Sequence, residues 1–186
     1  MASVTQPPAD RVLITDDALA LIGVEGPLRT MPYGLSHDEI RRFSQAAMEV
    51  DPIHWSVEAA QARGYPDIVA PPLYPLHALK REPGSDDPLD EAYSNSDWDG
   101  IDLVEDGLPP LRLPVGGLLN GGVSATIHDL ALPGDVISSQ ARYYDLTERS
   151  GRSGPMVFVV VETTYRSARG LLLRTHTTMI ARPEKP

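Results

Sequence analysis

The stretch MVFVVVETTYRSARGLLLRTHTTMIAR, residues 156–182, decides the fold class of this chain. Residues 156–167 and 171–182 are both rich in β-branched side chains, which favour extended backbone. Arg169-Gly170 between them has the composition of a tight turn. The stretch therefore predicts two long antiparallel strands joined as a hairpin.

The pattern continues upstream of this hairpin. Residues 122–130 and 136–147 predict two further strands, separated by a Pro-Gly-Asp turn at 133–135. Four strands in sequence order indicate an antiparallel meander. The helical patterns all come earlier in the chain, so the sequence predicts an α+β fold in which a helix lies against the sheet.

The clearest helix start is a capping box at Ser36, where Glu39 stands three residues later. Apolar residues then recur at helical spacing up to about Met48. These residues are Ile40, Phe43, Ala46 and Ala47. A second start is predicted at Asp51-Pro52, with Asp51 as the N-cap of a helix that ends at Gly64.

The chain has 186 residues, which suits one well-packed domain. Residues 1–10 show no pattern and are expected to be a loose tail, which leaves 11–186 as the domain. Residues 81–118 are rich in Pro, Gly and Asp, and we expect them to form a long loop or lid.

Composition excludes several classes of protein. There is no cysteine, so disulfides and thiolate catalysis are both excluded. No apolar run approaches the roughly 20 residues that cross a bilayer, and the first residues lack the layout of a signal peptide. These observations predict a cytoplasmic protein with no membrane association.

The net charge of −10 argues against nucleic-acid binding, which depends on Lys and Arg. The charge is uneven: residues 1–106 hold 7 basic and 20 acidic side chains, and residues 107–186 hold 9 and 6. An anionic ligand would approach the second half more readily. Individually, most arginines there are expected to cover the solvent face of strands. They include Arg142, Arg149, Arg152, Arg166 and Arg174.

Candidate catalytic residues lie at 49–54. Glu49, Asp51 and His54 fall within six residues, with Pro52 stiffening the backbone between them. A histidine beside carboxylates is suited to moving protons to and from a substrate near neutral pH. No other histidine has metal-ligand spacing with His54, so no metal is predicted.

Several blocks together resemble the MaoC-like dehydratases, a family of hot-dog-fold proteins. The first blocks are helix 36–48, DPIHW and EAAQARGYPDIVAPP. In the same order follow LLNGG at 118–122, LPGD at 132–135, ERSGRSGPMVFV at 148–159 and the final strand. The resemblance implies a single hot-dog domain, in which a strongly curved antiparallel sheet wraps a central helix. It also implies dimers of such units.

The resemblance implies hydration of 2-enoyl thioesters to (3R)-3-hydroxyacyl thioesters, or the reverse dehydration, with no cofactor. The acyl group is carried on coenzyme A or an acyl carrier protein. The family signature resembles D-x-N-P-[IL]-H. On this chain His54 matches the catalytic histidine, Glu49 occupies the aspartate position, Asp51 stands where Asn is usual and Met48 where Gly is usual.

These departures leave three interpretations of the site. The loop has re-formed around Glu49, Asp51 has taken over the acid/base role, or the site is degraded. Glutamate displaces the carboxylate by one methylene, and a misplacement of about 1 Å can cost about 10²-fold in rate. Asp51 stands where an asparagine amide is usual. An amide both donates and accepts hydrogen bonds, whereas an ionised carboxylate accepts them and donates none.

Four residues are predicted to contact the substrate: Tyr65, Pro71, Pro72 and Trp98. For Tyr65 the competing interpretation, packing beneath the loop, is favoured. Trp98 falls in the acidic loop, where it would cover an acyl chain.

The function is left among several classes. The first is an (R)-specific enoyl-thioester hydratase or dehydratase acting as a homo-oligomer. The second is a non-catalytic or half-site subunit that pairs with another hot-dog chain. The third is a dehydratase or tailoring enzyme for a polyketide or steroid-type substrate. A thioesterase is the fourth, because the same fold hosts it.

Overall fold

The computed structural model describes residues 13–79, 107–113, 117–151 and 154–182. The predicted tail at 1–10 and most of the predicted loop at 81–118 lie outside these residues. Four helices are described: α1 (Asp16–Leu19), α2 (His37–Ala46), α3 (Val57–Ala62) and α4 (Pro75–Ala78). The strands are β1 (Arg29–Thr30), β2 (Gly117–Ile127), β3 (Ser138–Gly151), β4 (Gly154–Ser167) and β5 (Gly170–Arg182).

The five strands form one antiparallel sheet in the order β1-β3-β4-β5-β2. The predicted meander is therefore wrong for β2, which pairs with β5 rather than with β3. Residues 128–137 carry the chain from the β2 edge back to the other side of the sheet. They are held along the way by backbone bonds from Ala70 to Ala131 and from Met31 to Ile137. Strand periodicity gives no information on this order, because any edge can accept a neighbour.

The sheet is curled, and its register shifts at three places. An extra residue in one strand of a pair bends that strand and increases its twist. The extra residues are Gly121 in β2, Tyr144 in β3 and Leu172 in β5. The resulting curved sheet with a short helix against it is the predicted α+β hot-dog architecture.

Helix α2 begins at the predicted capping box. The Ser36 hydroxyl accepts from the N–H of Glu39, and the Glu39 carboxylate accepts from the N–H of Ser36, both at 3.2 Å. The buried face of the helix differs from the prediction: Ile40 and Ser44 are fully buried, whereas Ala46 and Ala47 are exposed. The buried face of α2 therefore ends at Ser44, about one turn before the end at Met48 that the apolar spacing predicted.

The interior is divided into three clusters. One lies between α2 and the turn end of the β4–β5 hairpin, where Ile40 meets Tyr165 and Leu173. A second fills the opposite end of the sheet. The third is small and lies under the 49–54 segment, where Ile53 packs on Ala60, with Val69 completing it. This third cluster fixes the candidate site to the rest of the domain.

Candidate active site

Helix α2 ends in a left-handed turn that leads the chain into the site. Met48 has a φ of 53°, and its N–H donates to the Gln45 carbonyl at 3.2 Å. The N–H of Glu49 donates to the Ser44 carbonyl at 2.8 Å. This pair of bonds is the Schellman pattern, in which glycine usually supplies the left-handed residue. The turn therefore forms with methionine at the glycine position, and it places Glu49 at the start of the site.

Asp51 has a structural role in this turn. One carboxylate oxygen, Oδ1, accepts from the N–H of Ile53 at 3.2 Å and caps the 3₁₀ helix Pro52–His54. The other, Oδ2, accepts from Arg63 Nη1 at 2.6 Å. The Arg63 bond, followed by the Ile53 bond, holds the pKa of Asp51 below its ordinary value. Asp51 is thus ionised at neutral pH with both oxygens engaged.

The predicted helix over 52–64 is in fact two elements. The 3₁₀ turn Pro52–His54 ends at Trp55, and α3 starts afresh with its own cap, where the Ser56 hydroxyl accepts from the N–H of Ala59 at 3.2 Å. The break separates His54 from α3. Gly64 follows α3 with a φ of +89°, as predicted for a C-terminal glycine.

His54 is buried, with 3% of its surface exposed. Its Nδ1 lies 2.7 Å from the carbonyl oxygen of Val69. A carbonyl can only accept, so Nδ1 carries the hydrogen and the neutral imidazole keeps its lone pair on Nε2. Among the described residues no group hydrogen-bonds Nε2. The side chain is therefore held in the tautomer that a general base requires.

Glu49 is anchored through one of its two carboxylate oxygens. Oε1 accepts from the N–H of Val50 at 2.9 Å and from the N–H of Asp51 at 3.1 Å. Trp55 adds a bond from Nε1 to the Glu49 carbonyl at 3.0 Å. Within the described ranges Oε2 accepts no hydrogen bond. The turn places Asp51 close enough to His54 for their charges to interact, but neither carboxylate hydrogen-bonds the imidazole within the described residues.

The carbonyl that holds His54 is itself supported by a chain of contacts. The neighbouring N–H of Ala70 donates to the Ala131 carbonyl at 2.8 Å. Arg169 clamps the segment that carries Ala131: it donates to Asp129 at 2.6 Å, to the Leu130 carbonyl at 2.7 Å and to Asp135 at 2.9 Å. The β4–β5 turn thus contributes to positioning the catalytic candidate.

The Asp135 carboxylate responds to this clamp. Burial disfavours its charged form, but hydrogen bonds from Arg169 and from the N–H of Leu132 outweigh burial. The pKa of Asp135 is therefore below its ordinary value. Asp135 belongs to the LPGD block, which the sequence predicted only as a turn.

The predicted substrate-binding residues are placed as follows. Tyr65 is half-buried and packs against the cluster of Ile53, Ala60 and Val69, as the favoured interpretation expected. Pro71 is buried and Pro72 half-buried. Trp98 lies outside the described residues.

Sequence patterns missed three residues that support the site: Arg63, Val69 and Arg169. Arg63 and Val69 are 12 and 15 residues from their partners, and Arg169 is 34 residues from Asp135. No local spacing rule connects such positions.

In the described ranges there is no cluster of three or more His, Asp or Glu side chains that would hold a metal ion. None of the helices there is long and apolar enough to span a membrane.

Comparison with known proteins gives a family match over residues 20–176, to the model described as "FAS1-like, dehydratase domain region". Curated relatives match over shorter segments. A UPF0336 protein of Saccharopolyspora erythraea is 42% identical over 55 residues, which is 30% of this chain and 35% of the relative. One of Leifsonia xyli is 43% identical over 47 residues, or 25% and 32%. The match thus spans about a third of the length of these relatives.

Solved structures share the fold. The ChsH1-ChsH2 complex from Mycobacterium tuberculosis aligns with a TM-score of 0.67 at 21% identity, covering 91% of this chain and 92% of that one. The HadBC (3R-Hydroxyacyl-ACP Dehydratase) complex from the same organism aligns at 0.52 and 20% identity, covering 90% and 99%. R-Hydratase PhaJ1 from Pseudomonas aeruginosa aligns at 0.51 and 11%, covering 86% and 82%. With most of its length matched by the family model, the chain belongs to the FAS1-like dehydratase-region family and has the hot-dog fold of the MaoC-like dehydratases.

Proposed function

We propose that this chain is a hydro-lyase that hydrates 2-enoyl thioesters to (3R)-3-hydroxyacyl thioesters, or dehydrates the latter, with the acyl group on coenzyme A or an acyl carrier protein. The observation that carries the proposal is His54. It is buried, its Nδ1 bonds to the Val69 carbonyl at 2.7 Å, and its Nε2 is left to act as a base.

Glu49 is the better candidate for the second proton carrier. Its Oε1 is fixed by two N–H groups while Oε2 is unengaged by the described residues. Asp51 has both oxygens committed, and its lowered pKa makes it a poor proton donor near pH 7. This difference favours a loop that has re-formed around Glu49 over one in which Asp51 has taken the role.

The proposed hydration moves one proton in two transfers. One of the pair, His54 or Glu49, removes a proton from a bound water, and the water oxygen forms a bond to C3 of the enoyl group. The C2=C3 double bond breaks, and the proton taken from the water is delivered to C2 through the same pair, so the thioester gains one molecule of water and both residues return to their starting state. No redox change takes place. Tyr65, Pro71, Pro72 and Trp98 are proposed to line the acyl site.

A partner is proposed as well. Strand β2 is an edge of the sheet, and the large apolar side chains Leu119, Val123 and Ile127 are 44%, 57% and 49% exposed. An unpaired apolar edge favours pairing with another strand. We therefore propose that β2 pairs with a second hot-dog chain, either a copy of this one or a different subunit. The structurally similar ChsH1-ChsH2 and HadBC proteins of Mycobacterium tuberculosis are both complexes, which supports a partner for this chain.

The exposed apolar residues beside the site support the same proposal. Met48, Val50 and Trp55 are 84%, 85% and 44% exposed, and they flank Glu49 and the 3₁₀ turn. Apolar surface of this extent next to candidate catalytic groups is suited to contact with a substrate or a partner. It also keeps the half-site subunit open as the second candidate.

The test is hydration of crotonyl-CoA and of a longer enoyl-CoA by the purified chain, with His54→Ala, Glu49→Gln and Asp51→Asn alongside. Loss of a proton carrier should lower kcat by about 10²- to 10⁴-fold. We expect that loss for His54→Ala and Glu49→Gln. Asp51→Asn should keep most of the activity and lose thermal stability, because Asn still caps the turn but loses the ion pair with Arg63.

Three outcomes would change the conclusion. If Asp51→Asn loses as much activity as His54→Ala while remaining folded, Asp51 and not Glu49 is the second carrier. If the folded wild-type chain shows no turnover alone but does with a second hot-dog chain, it is a half-site subunit. Turnover of bulky polyketide or steroid-type thioesters alone would place the substrate in that class.

A further inference from the structure

The face of the sheet opposite α2 carries a polar cavity of about 220 Å³. Successive side chains of a strand point to opposite faces. Leu173 and Tyr165 pack with Ile40 of α2, so Arg174 and Glu162, which are out of phase with them, point to the other face. The cavity is therefore on the other side of the sheet from the helix.

Charged residues dominate the lining of this cavity. Three arginines, Arg142, Arg166 and Arg174, face two glutamates, Glu25 and Glu162. The lining is net positive, although the whole chain has a net charge of −10. A local positive site on an acidic protein attracts anions to that one place rather than to the surface in general.

Glu162 does not neutralise all of the positive charge of the three arginines. The carboxylate is 6% exposed, and Oε1 accepts from Arg142 at 2.9 Å (Nε) and 2.8 Å (Nη2). Its Oε2 lies 3.0 Å from His176 Nε2. Both Arg142 nitrogens thus bond to the same Glu162 oxygen, and this pairing balances the charge of the buried carboxylate.

Arg174 shares the Glu162 carboxylate with Arg142 and His176 at a longer distance, and Arg166 has no ion pair among the described residues. Arg174 Nε lies 3.6 Å from Glu162 Oε2, which is too long for a hydrogen bond, and this nitrogen is buried with no partner among the described residues. Arg166 is exposed and forms no ion pair there. A buried donor without an acceptor is unfavourable, so an acceptor entering the cavity would relieve it.

The size and the donors of the cavity define the ligand. A volume of about 220 Å³ is below the roughly 300–1,000 Å³ of sites that enclose a drug-sized molecule, but it has room for far more than one water. Guanidinium groups present planar pairs of N–H donors that match phosphate oxygens. We propose that this cavity binds a phosphate group between Arg166 and Arg174, with Arg142 held behind them by Glu162.

Glu25 opposes this binding, and the donors of the arginines have to outweigh it. It lies at the cavity beside Arg142, with which it shares a backbone bridge. Its negative charge repels every anion, and a dianion more than a monoanion. A phosphate with two charges and several acceptor oxygens gains more from two guanidinium groups than a carboxylate does.

The test is calorimetric titration of the full chain at constant ionic strength with four probes: inorganic phosphate, ADP, adenosine and acetate. Phosphate or ADP should bind, and adenosine and acetate should not. Binding of phosphate alone identifies the free ion as the ligand, whereas tighter binding of ADP identifies a phosphorylated small molecule. Equal binding of acetate, or no binding of phosphate and ADP, would overturn the proposal.

Variants locate the site. Arg174→Gln and Arg166→Gln should each weaken phosphate or ADP binding by about tenfold or more, since a hydrogen bond to a charged group is lost. Arg182→Gln is the matched control: it removes the same charge from an exposed position at the end of β5, outside the cavity. Equal weakening by Arg182→Gln would reduce the effect to general attraction and exclude the cavity. If Arg174→Gln does not fold, the exposed Arg166→Gln decides.

Discussion

Tyr74 and Tyr143 are both buried in the interior, but their hydroxyls have different surroundings. The Tyr143 hydroxyl donates to the Pro109 carbonyl at 2.9 Å. The Tyr74 hydroxyl is buried with no partner in the described part of the chain. Burial, helped by the charge of Glu39, raises the pKa of Tyr74 to about 12. An unsatisfied buried hydroxyl is a local weakness of the fold.

The two tyrosines make a matched pair of tests. Tyr74→Phe should raise the free energy of unfolding by up to about 1 kcal/mol, because it removes an unpaired polar group and keeps the ring contact with Phe43. Tyr143→Phe should lower it by about 1 kcal/mol, since it leaves a carbonyl unpaired. Urea unfolding at pH 7 measures both changes. A loss of stability in Tyr74→Phe would mean that its hydroxyl binds a buried water.

At this scale the sequence predicted what depends on near neighbours. The capping box of Ser36 and the cap at Asp51 were both predicted, because each joins residues two or three apart. The bond from His54 to Val69 was not, since its acceptor is a main-chain carbonyl that no side-chain pattern marks. The difference between the two oxygens of Glu49 was not predicted either, because the groups that bind Oε1 are main-chain N–H groups, which no side-chain pattern marks.

Among the elements, the turn of the β4–β5 hairpin has a second role through Arg169. Arg169→Gln should destabilise the 129–135 segment, because the bonds to Asp129, to Asp135 and to the Leu130 carbonyl weaken together. Thermal unfolding across pH 3–8 measures the effect. Arg166→Gln, three residues away and without an ion pair among the described residues, is the control.

The pH dependence of that variant follows from Asp135. Its pKa is lowered in the folded state, so its contribution to stability is present above the unfolded value of about 3.9 and is lost as pH falls through the folded pKa. The difference in melting temperature between wild type and Arg169→Gln should therefore be largest at pH 6 and should disappear as the pH falls below about 4. A gap independent of pH would show that the carboxylates are not what Arg169 stabilises.

The elements also show the limit of periodicity. The hairpins of β3, β4 and β5 were predicted from alternation and turn residues. The place of β2 beside β5 was not, because it depends on how residues 128–137 cross under the helix side of the sheet. In α2, likewise, Ser44 is buried while Ala46 and Ala47 are exposed, because tertiary packing and not residue type selects the buried face of a helix.

On the scale of the whole molecule, the exposed β2 edge predicts self-association. Val123→Asp should convert a dimer to a monomer, because it introduces a charge into the proposed strand pairing, where Val123 is 57% exposed in the single chain. Light scattering on a sizing column measures the mass. Val136→Asp, a matched change at 44% exposure in the 128–137 connection, should leave the dimer intact.

A wild-type chain that stays monomeric at high concentration would exclude pairing with its own copy. The partner would then have to be a different hot-dog chain, and coexpression would be the route to it. Equal masses for wild type and Val123→Asp in a dimeric protein would instead place the contact elsewhere than β2.

The general architecture could be predicted because it rests on strand alternation, one capped helix and blocks in a fixed order. The region least predicted is the outer sheet face, where Arg142, Glu162 and Arg174 meet across three strands. The only indication in the sequence was the surplus of basic residues in the second half, and the register of the strands brings Arg142 and Arg174 to one site.

The Val69 carbonyl has a consequence for how this protein tolerates mutation. A main-chain oxygen is present whatever side chain stands at position 69, so no side-chain replacement there can delete the acceptor of the His54 hydrogen. Substitutions at position 69 should therefore leave the orientation of His54 unchanged, provided that the new side chain fills the volume of valine. The carboxylates of Glu49 and Asp51 belong to side chains, so a single substitution can remove either one. It is at these two positions that this chain differs from the D-x-N-P-[IL]-H signature.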